Sequence, residues 1–139
     1  MTEEMRIEMD KKMFYDREHW QAFTECLSKM KQSDVYRISL AYLLTLDTVT
    51  RTHIDDCFDF ENGVIKIDAL SKGWQTGTSL KTTRLAFNLW NGCYDDGEEY
   101  TDNDGYKVPL PSSKYAVDQI FSSALAEYYW QAVKLRFNI

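Results

Sequence analysis

Two prolines, six glycines, two histidines and three cysteines are few for a chain of 139 residues, and each shortage excludes something. With His19 and His53 alone and no CxxC pair, a zinc centre of paired cysteines and histidines cannot be completed. Cys26, Cys57 and Cys93 are odd in number and widely spaced, the pattern of reduced thiols rather than of a disulfide framework. Long apolar runs are missing too. The greasiest stretch, Leu40 to Leu46, falls far short of the roughly 20 residues that cross a bilayer. Behind the acidic start Met1-Thr2-Glu3-Glu4 no apolar segment follows, so no secretory leader is expected and the expected location is the cytoplasm. Positive charge is the scarcer sign, 16 Lys and Arg against 22 Asp and Glu, a formal net charge of -6. That balance argues against direct binding of nucleic acid or anionic lipid.

What is present is apolar and aromatic. A hydrophobic fraction of 44 % with seven Phe, nine Tyr and four Trp supplies the core of one domain. Residues 13–139 read as a single globular α-rich domain, and 1–12 as an N-terminal extension that frays. In that extension Met1, Met5, Met9 and Met13 recur every fourth residue, which would line one face of a helix.

Periodicity predicts a mainly α fold, a compact single-domain bundle of about five or six helices with one or two short β-hairpins. Asp16 caps a first helix with Trp20, Phe23, Cys26, Leu27 and Met30 on one face. Ser33 or Asp34 opens a second, running to about Leu46, apolar on both sides and therefore central. A third spans about Thr48 to Cys57, with hydroxyls at its start as caps. Asn62-Gly63 between alternating apolar residues predicts a two-residue hairpin turn, with Phe60 opposite Ile65, Phe58 opposite Ile67 and Asp59 opposite Lys66. Thr78 or Ser79 caps a helix ending at Asn91-Gly92, whose polar stripe is Lys81, Arg84, Asn88 and Asn91. Asn103-Asp104-Gly105 predicts a second tight turn, and Pro109 and Pro111 are expected to end its strand. A short helix over 113–121 and a deeply packed C-terminal helix capped by Ser122 or Ser123 complete the chain.

Chemistry is sparse. His53 and Cys57, four apart on the third helix with Asp56 nearby, could form a nucleophile pair or part of a metal site, although a buried helix face accounts for them as well. Asp102-Asn103-Asp104-Gly105 resembles a calcium loop only in fragment. With Gly105 in the required place, Tyr100 holds the first ligand position and Pro111 the twelfth, where a carboxylate is needed. No metal or cofactor is expected. Charge is segregated: Lys66, Lys72, Lys81 and Arg84 lie in one stretch, while acid gathers at Asp55 to Glu61 and again at Asp95 to Asp104. The segment Gly77, Thr78, Ser79, Lys81 and Arg84 joins a helix start to two cations, the makings of a small-anion or nucleotide site. The same cations could instead pair with the chain's own acidic loop.

The run from Phe58-Asp59-Phe60 through Gly73-Trp74-Gln75-Thr76-Gly77 to Leu85-Ala86-Phe87-Asn88-Leu89-Trp90-Asn91-Gly92 resembles a family of small uncharacterised proteins, a domain of unknown function, from Gram-positive bacteria and their phages. That resemblance implies a cytosolic setting, in a phage or prophage, and brings no catalytic residue with it. The expected function is non-enzymatic: a protein-binding module, an inhibitor of a host defence or nucleic-acid-handling protein, acting through Asp95, Asp96, Glu98, Glu99, Tyr100, Asp102, Asp104 and Tyr106. Its expected partner is a host protein with a basic surface, the acid steering the encounter and the tyrosines supplying contact area. Oligomeric state is left open.

Overall fold

The computed structural model describes residues 13–139. The expected fraying of residues 1–12 and the stripe of Met1, Met5 and Met9 lie outside the described residues. Among those described, seven α-helices and two small two-stranded sheets alternate along the chain. No helix among them is long and apolar enough to cross a membrane.

Helix α1 (Arg17–Ser28) starts where expected, the Asp16 carboxylate accepting the His19 N–H at 2.7 Å, and buries Phe23, Cys26 and Leu27. Helix α2 (Val35–Leu44) starts at Asp34, and its residues Ser39 to Leu44 are all buried, as a helix apolar on both sides requires. The third helix departs from expectation. It comes in two pieces, α3 (Thr48–Thr52) and α4 (Ile54–Cys57), capped by the Asp47 carboxylate rather than by a hydroxyl. The break has a local cause: His53 Nδ1 binds the Val49 carbonyl at 2.9 Å, taking the acceptor that the His53 backbone N–H would use in a continuous helix. That N–H turns to the Thr50 carbonyl instead.

The first hairpin pairs β1 (Phe58–Asp59) with β2 (Val64–Ile65), placing Phe58 opposite Ile65 and Asp59 opposite Val64. This is two residues away from the expected register, which keeps each side chain on its expected face but lengthens the loop. The Asp59 carboxylate makes the difference. It accepts the N–H groups of Glu61 and Asn62, both at 3.0 Å, and closes a four-residue loop in place of the two-residue turn. A 3₁₀ turn (Ile67–Ser71) then leads to α5 (Gly77–Asn91), which ends at Gly92 with φ +76°, the left-handed stop expected there.

Helix α5 begins ahead of the expected caps Thr78 and Ser79. Thr76 is the cap, its hydroxyl accepting the Ser79 N–H at 3.0 Å while the Ser79 hydroxyl accepts the Thr76 N–H at 2.7 Å. Such a reciprocal box satisfies two otherwise orphaned donors. Thr76→Ala is therefore expected to lower stability by about 1 kcal/mol in urea denaturation, with an unchanged fold.

The expected second turn forms: Gly105 N–H bonds the Asp102 carbonyl at 3.1 Å, and Gly105 has φ +85°. It joins β3 (Asp95–Thr101) to β4 (Lys107–Pro111). Contrary to expectation, Pro109 and Pro111 lie within the strand, opposite Glu99 and Asp95. The Asp102 N–H bonds the Tyr106 carbonyl, so the ladder's alternation puts residue 109 at a position whose nitrogen points away from β3. The Ser112 N–H bonds the Tyr94 carbonyl, and the same alternation turns Pro111 outward.

A 3₁₀ turn (Ser113–Tyr115) and the four-residue α6 (Val117–Ile120) replace the expected continuous helix over 113–121. Helix α7 (Ala126–Phe137) has no side-chain cap, because the Ser123 hydroxyl takes the Leu125 N–H before the helix begins. It is packed less deeply than expected, fully burying Tyr129 and Ala132. Helix α2 runs through the centre against α1, α5 and α7. The Tyr129 hydroxyl reaches Thr82 on α5 at 2.7 Å, so this fully buried phenol is not left unpaired.

Candidate functional site

The polar stripe on α5 is where the fold and the acidic segment meet. Arg84 is buried, its guanidinium forking onto Asp96 through Nε at 3.1 Å and Nη2 at 3.0 Å. One turn on, the Asn88 amide donates to the Cys93 carbonyl at 3.0 Å, and the Asn91 carboxamide accepts the Cys93 N–H. From the other side, the Tyr115 hydroxyl donates to the Asp95 carbonyl at 2.7 Å. Two antiparallel strands alone are marginal in water. Here the base of the ribbon is fastened to α5 by an ion pair whose arginine is buried and to the following turn by a phenol.

Beyond this anchorage the ribbon stands in solvent. Glu98, Glu99, Tyr100, Asp104, Tyr106 and Leu110 are all exposed, Tyr106 to 70 %. The register sets Tyr100 beside Val108, and strand alternation puts Glu98, Tyr106 and Leu110 on that same face. The opposite face carries Glu99, Thr101, Lys107 and Pro109. Glu98, Glu99 and Asp104 have no side-chain partner among the described residues.

The expected partner-binding residues therefore divide in two. Asp96 holds Arg84, the Asp95 carboxylate accepts the Gly97 N–H at 3.1 Å, and the Asp102 carboxylate accepts the N–H groups of Asp104 and Tyr106. These three build the ribbon. Glu98, Glu99, Tyr100, Asp104 and Tyr106 are the ones it displays. Sequence reading missed Leu110, exposed between the two prolines and on the tyrosine face, and missed Tyr115 as a fastening. A lone apolar residue in Pro109-Leu110-Pro111 was the available signal for the first.

The segment at the start of α5 is more occupied than expected. Arg84 belongs to Asp96, the Ser79 hydroxyl donates to the Gln75 carboxamide oxygen at 2.6 Å, and the Lys81 ammonium donates to the Ser122 carbonyl. Gly77, Leu80, Lys81, Arg84, Lys114 and Gln119 do line an open cleft of about 230 Å³, with Thr78 exposed nearby.

His53 and Cys57 are not brought together as a reactive pair. The His53 ring lies flat on Trp74, centroids 4.4 Å apart and planes 5° from parallel, while the Trp74 N–H donates to Asp56 at 2.9 Å. Cys57 is fully buried, and burial first, then the neighbouring Asp56 charge, pushes its thiol up to about 12, far from the thiolate a nucleophile needs. Among the described residues no group of three or more His, Cys, Asp or Glu is arranged to hold a metal ion.

No curated protein and no solved structure matches this chain. A family model does match, over residues 9–139, which takes in every element described above. The chain belongs to DUF6075, a family of unknown function.

Proposed function

We propose that this protein is a non-enzymatic binding module that engages a protein with a basic surface through the β3–β4 ribbon. The observation that carries the reading is the ribbon's division of labour. Asp95, Asp96 and Asp102 hold its shape, which leaves Glu98, Glu99, Asp104, Tyr100, Tyr106 and Leu110 exposed on a fastened scaffold. Rigid aromatic side chains contribute contact area at small entropic cost, and the surrounding carboxylates speed and orient encounter with a positive surface. A positively charged groove that holds nucleic acid in another protein is the target this surface suits best, which makes inhibition of a host defence or nucleic-acid-handling protein the specific form of the proposal. Anion binding at the start of α5 is the lesser reading, because Arg84 and Ser79 already have internal partners.

The test is a capture experiment from host lysate with two variants chosen from these roles. In the first, Glu98→Gln, Glu99→Gln and Tyr106→Ala are combined, which leaves the Arg84–Asp96 anchorage untouched. In the second, Thr78→Ala and Lys81→Met alter the α5 cleft. The expected result is a captured protein retained by wild type and by the cleft variant and lost, by roughly tenfold or more in affinity, with the ribbon variant. Equal retention by the ribbon variant would falsify the proposal.

A further inference from the structure

The two outer edges of the ribbon are unequal. On β4 the backbone groups directed away from β3 belong to residues 107, 109 and 111, and at two of these three positions the residue is proline and carries no N–H. Pro109 and Pro111 thus close that edge to another strand, a known device against edge pairing. On β3 the outward groups in the regular part of the ladder are those of Glu99 and Thr101, because Tyr100 and Val108 form the pair bonded across the ribbon. Neither outward N–H has a partner among the described residues. The 3₁₀ turn packs against β3, the Ile67 side chain lying 3.6 Å from the place a Cβ on Gly97 would occupy. From Glu98 to Thr101 every residue is exposed.

We infer that β3 takes up an extended, basic segment of the partner protein as a third strand, along Glu98 to Thr101. The inference rests on the ribbon reading above and supplies its mode of binding. Main-chain bonds to Glu99 and Thr101 give affinity without demanding a particular sequence, while Glu98 on one face and Glu99 on the other select lysine or arginine at two adjacent positions of the incoming strand, one on each face. A second copy of this chain is a poor occupant of the same edge. Two β3 strands side by side would bring four glutamates together, and like charges across a ladder are destabilising. The closed edge at Pro109 and Pro111 directs the added strand to β3 and away from β4.

The experiment uses an octapeptide in which pairs of lysines alternate with pairs of threonines, so that each face of the extended peptide carries lysine, against the full chain. Amide exchange is followed residue by residue, and affinity is measured for wild type, Thr101→Pro, and the pair Glu98→Gln with Glu99→Gln. Bound peptide should slow exchange at Glu99 and Thr101 at least about tenfold and leave Tyr100 unchanged, since its N–H already faces β4. Thr101→Pro removes an outward N–H without touching the bonds to β4, and is expected to weaken binding by about tenfold or more. An unchanged exchange pattern across β3 and β4 in free Thr101→Pro confirms that the ribbon itself is intact. If Thr101→Pro binds as wild type does while the glutamine pair binds weakly, strand addition is overturned and the ribbon reading survives. If neither variant changes the affinity, both fall. Absence of any binding by the octapeptide overturns strand addition, and the ribbon reading is then decided by the capture experiment.

Discussion

Replacing Asp96 by alanine is expected to lower stability by about 3 kcal/mol, which for a chain of this size is a fall in Tm of roughly 10 °C. Asp96 and Arg84 are unequally buried, the Asp96 side chain 27 % exposed and that of Arg84 8 %. Removing the carboxylate leaves a guanidinium almost without water and without its two bonds, the more damaging way to break such a pair. Arg84→Met should be milder, about 1 kcal/mol, because the orphaned carboxylate is hydrated and the methionine refills the apolar part of the site. The two changes together should then be less harmful than their separate effects added, since the double variant leaves no buried charge. Urea denaturation of the two single variants and the double variant measures this coupling. Asp96→Ala should also speed amide exchange along β3 from Asp95 onward, because the pair is the main link between α5 and the ribbon. A loss below about 1 kcal/mol with exchange unaltered would mean that the ribbon is held by Asn88 and Tyr115 instead.

The same pair shows what a linear reading can and cannot reach. Helix starts at Asp16 and Asp34 and the stop at Gly92 were legible because a cap acts within four residues, and the chain within that reach contains the whole interaction. The turn at Asp102 to Gly105 was legible for the same reason. Where a side chain competed with the backbone for a hydrogen-bond partner, the reading failed: His53 takes the Val49 carbonyl and splits a helix, and the Asp59 carboxylate accepts two N–H groups and lengthens a loop. Neither competition is decided by residue type. Pro109 and Pro111 misled in another way, since a proline ends a strand only when its nitrogen must donate, and that depends on the register of the partner strand. For the candidate site, charge segregation was visible in sequence, and the pairing of Arg84 with the acidic loop was one of the two outcomes it allowed. Which carboxylates build the ribbon and which it displays was not visible. That division follows from Arg84 facing Asp96 across twelve residues of chain and from a bulge between Asp95 and Glu99.

The other large effect is expected from pH. His19 is completely buried. Its Nδ1 accepts the Tyr15 N–H at 3.1 Å, so the ring proton sits on Nε2 and is donated to the Tyr42 carbonyl at 2.8 Å. A second proton would have to go on Nδ1, against an N–H that already points at it. Burial above all, with a smaller contribution from the Arg51 charge, holds the imidazole down at about 4 from its ordinary 6.5, and the bond to Tyr42 and the charge of Asp16 only partly offset this. The unfolded chain therefore takes up a proton that the folded protein refuses between pH 6.5 and 4. Stability from this group is complete above pH 6.5, falls through that window, and changes no further below it, by about 3 kcal/mol in all. Asp59 acts in a lower window, because Asn62 holds its carboxyl below the ordinary value and its contribution is lost only on further acidification. His19→Gln keeps a side chain able to bond the Tyr42 carbonyl but has nothing to titrate. It is expected to be less stable than wild type at pH 7 and to lose most of the slope between pH 6.5 and 4, so that the two proteins converge as the medium is acidified. Urea midpoints measured across that range decide the matter: parallel curves for His19→Gln and wild type would show that other groups carry the acid sensitivity. The region that should open first on acidification is the segment His19 fastens, Met13 to Asp16, whose Met13 carbonyl also accepts the Tyr42 hydroxyl and whose Phe14 ring packs edge-on against His19 and Phe23. Exchange at the Tyr15 amide, bonded to the ring that titrates, should rise ahead of global unfolding.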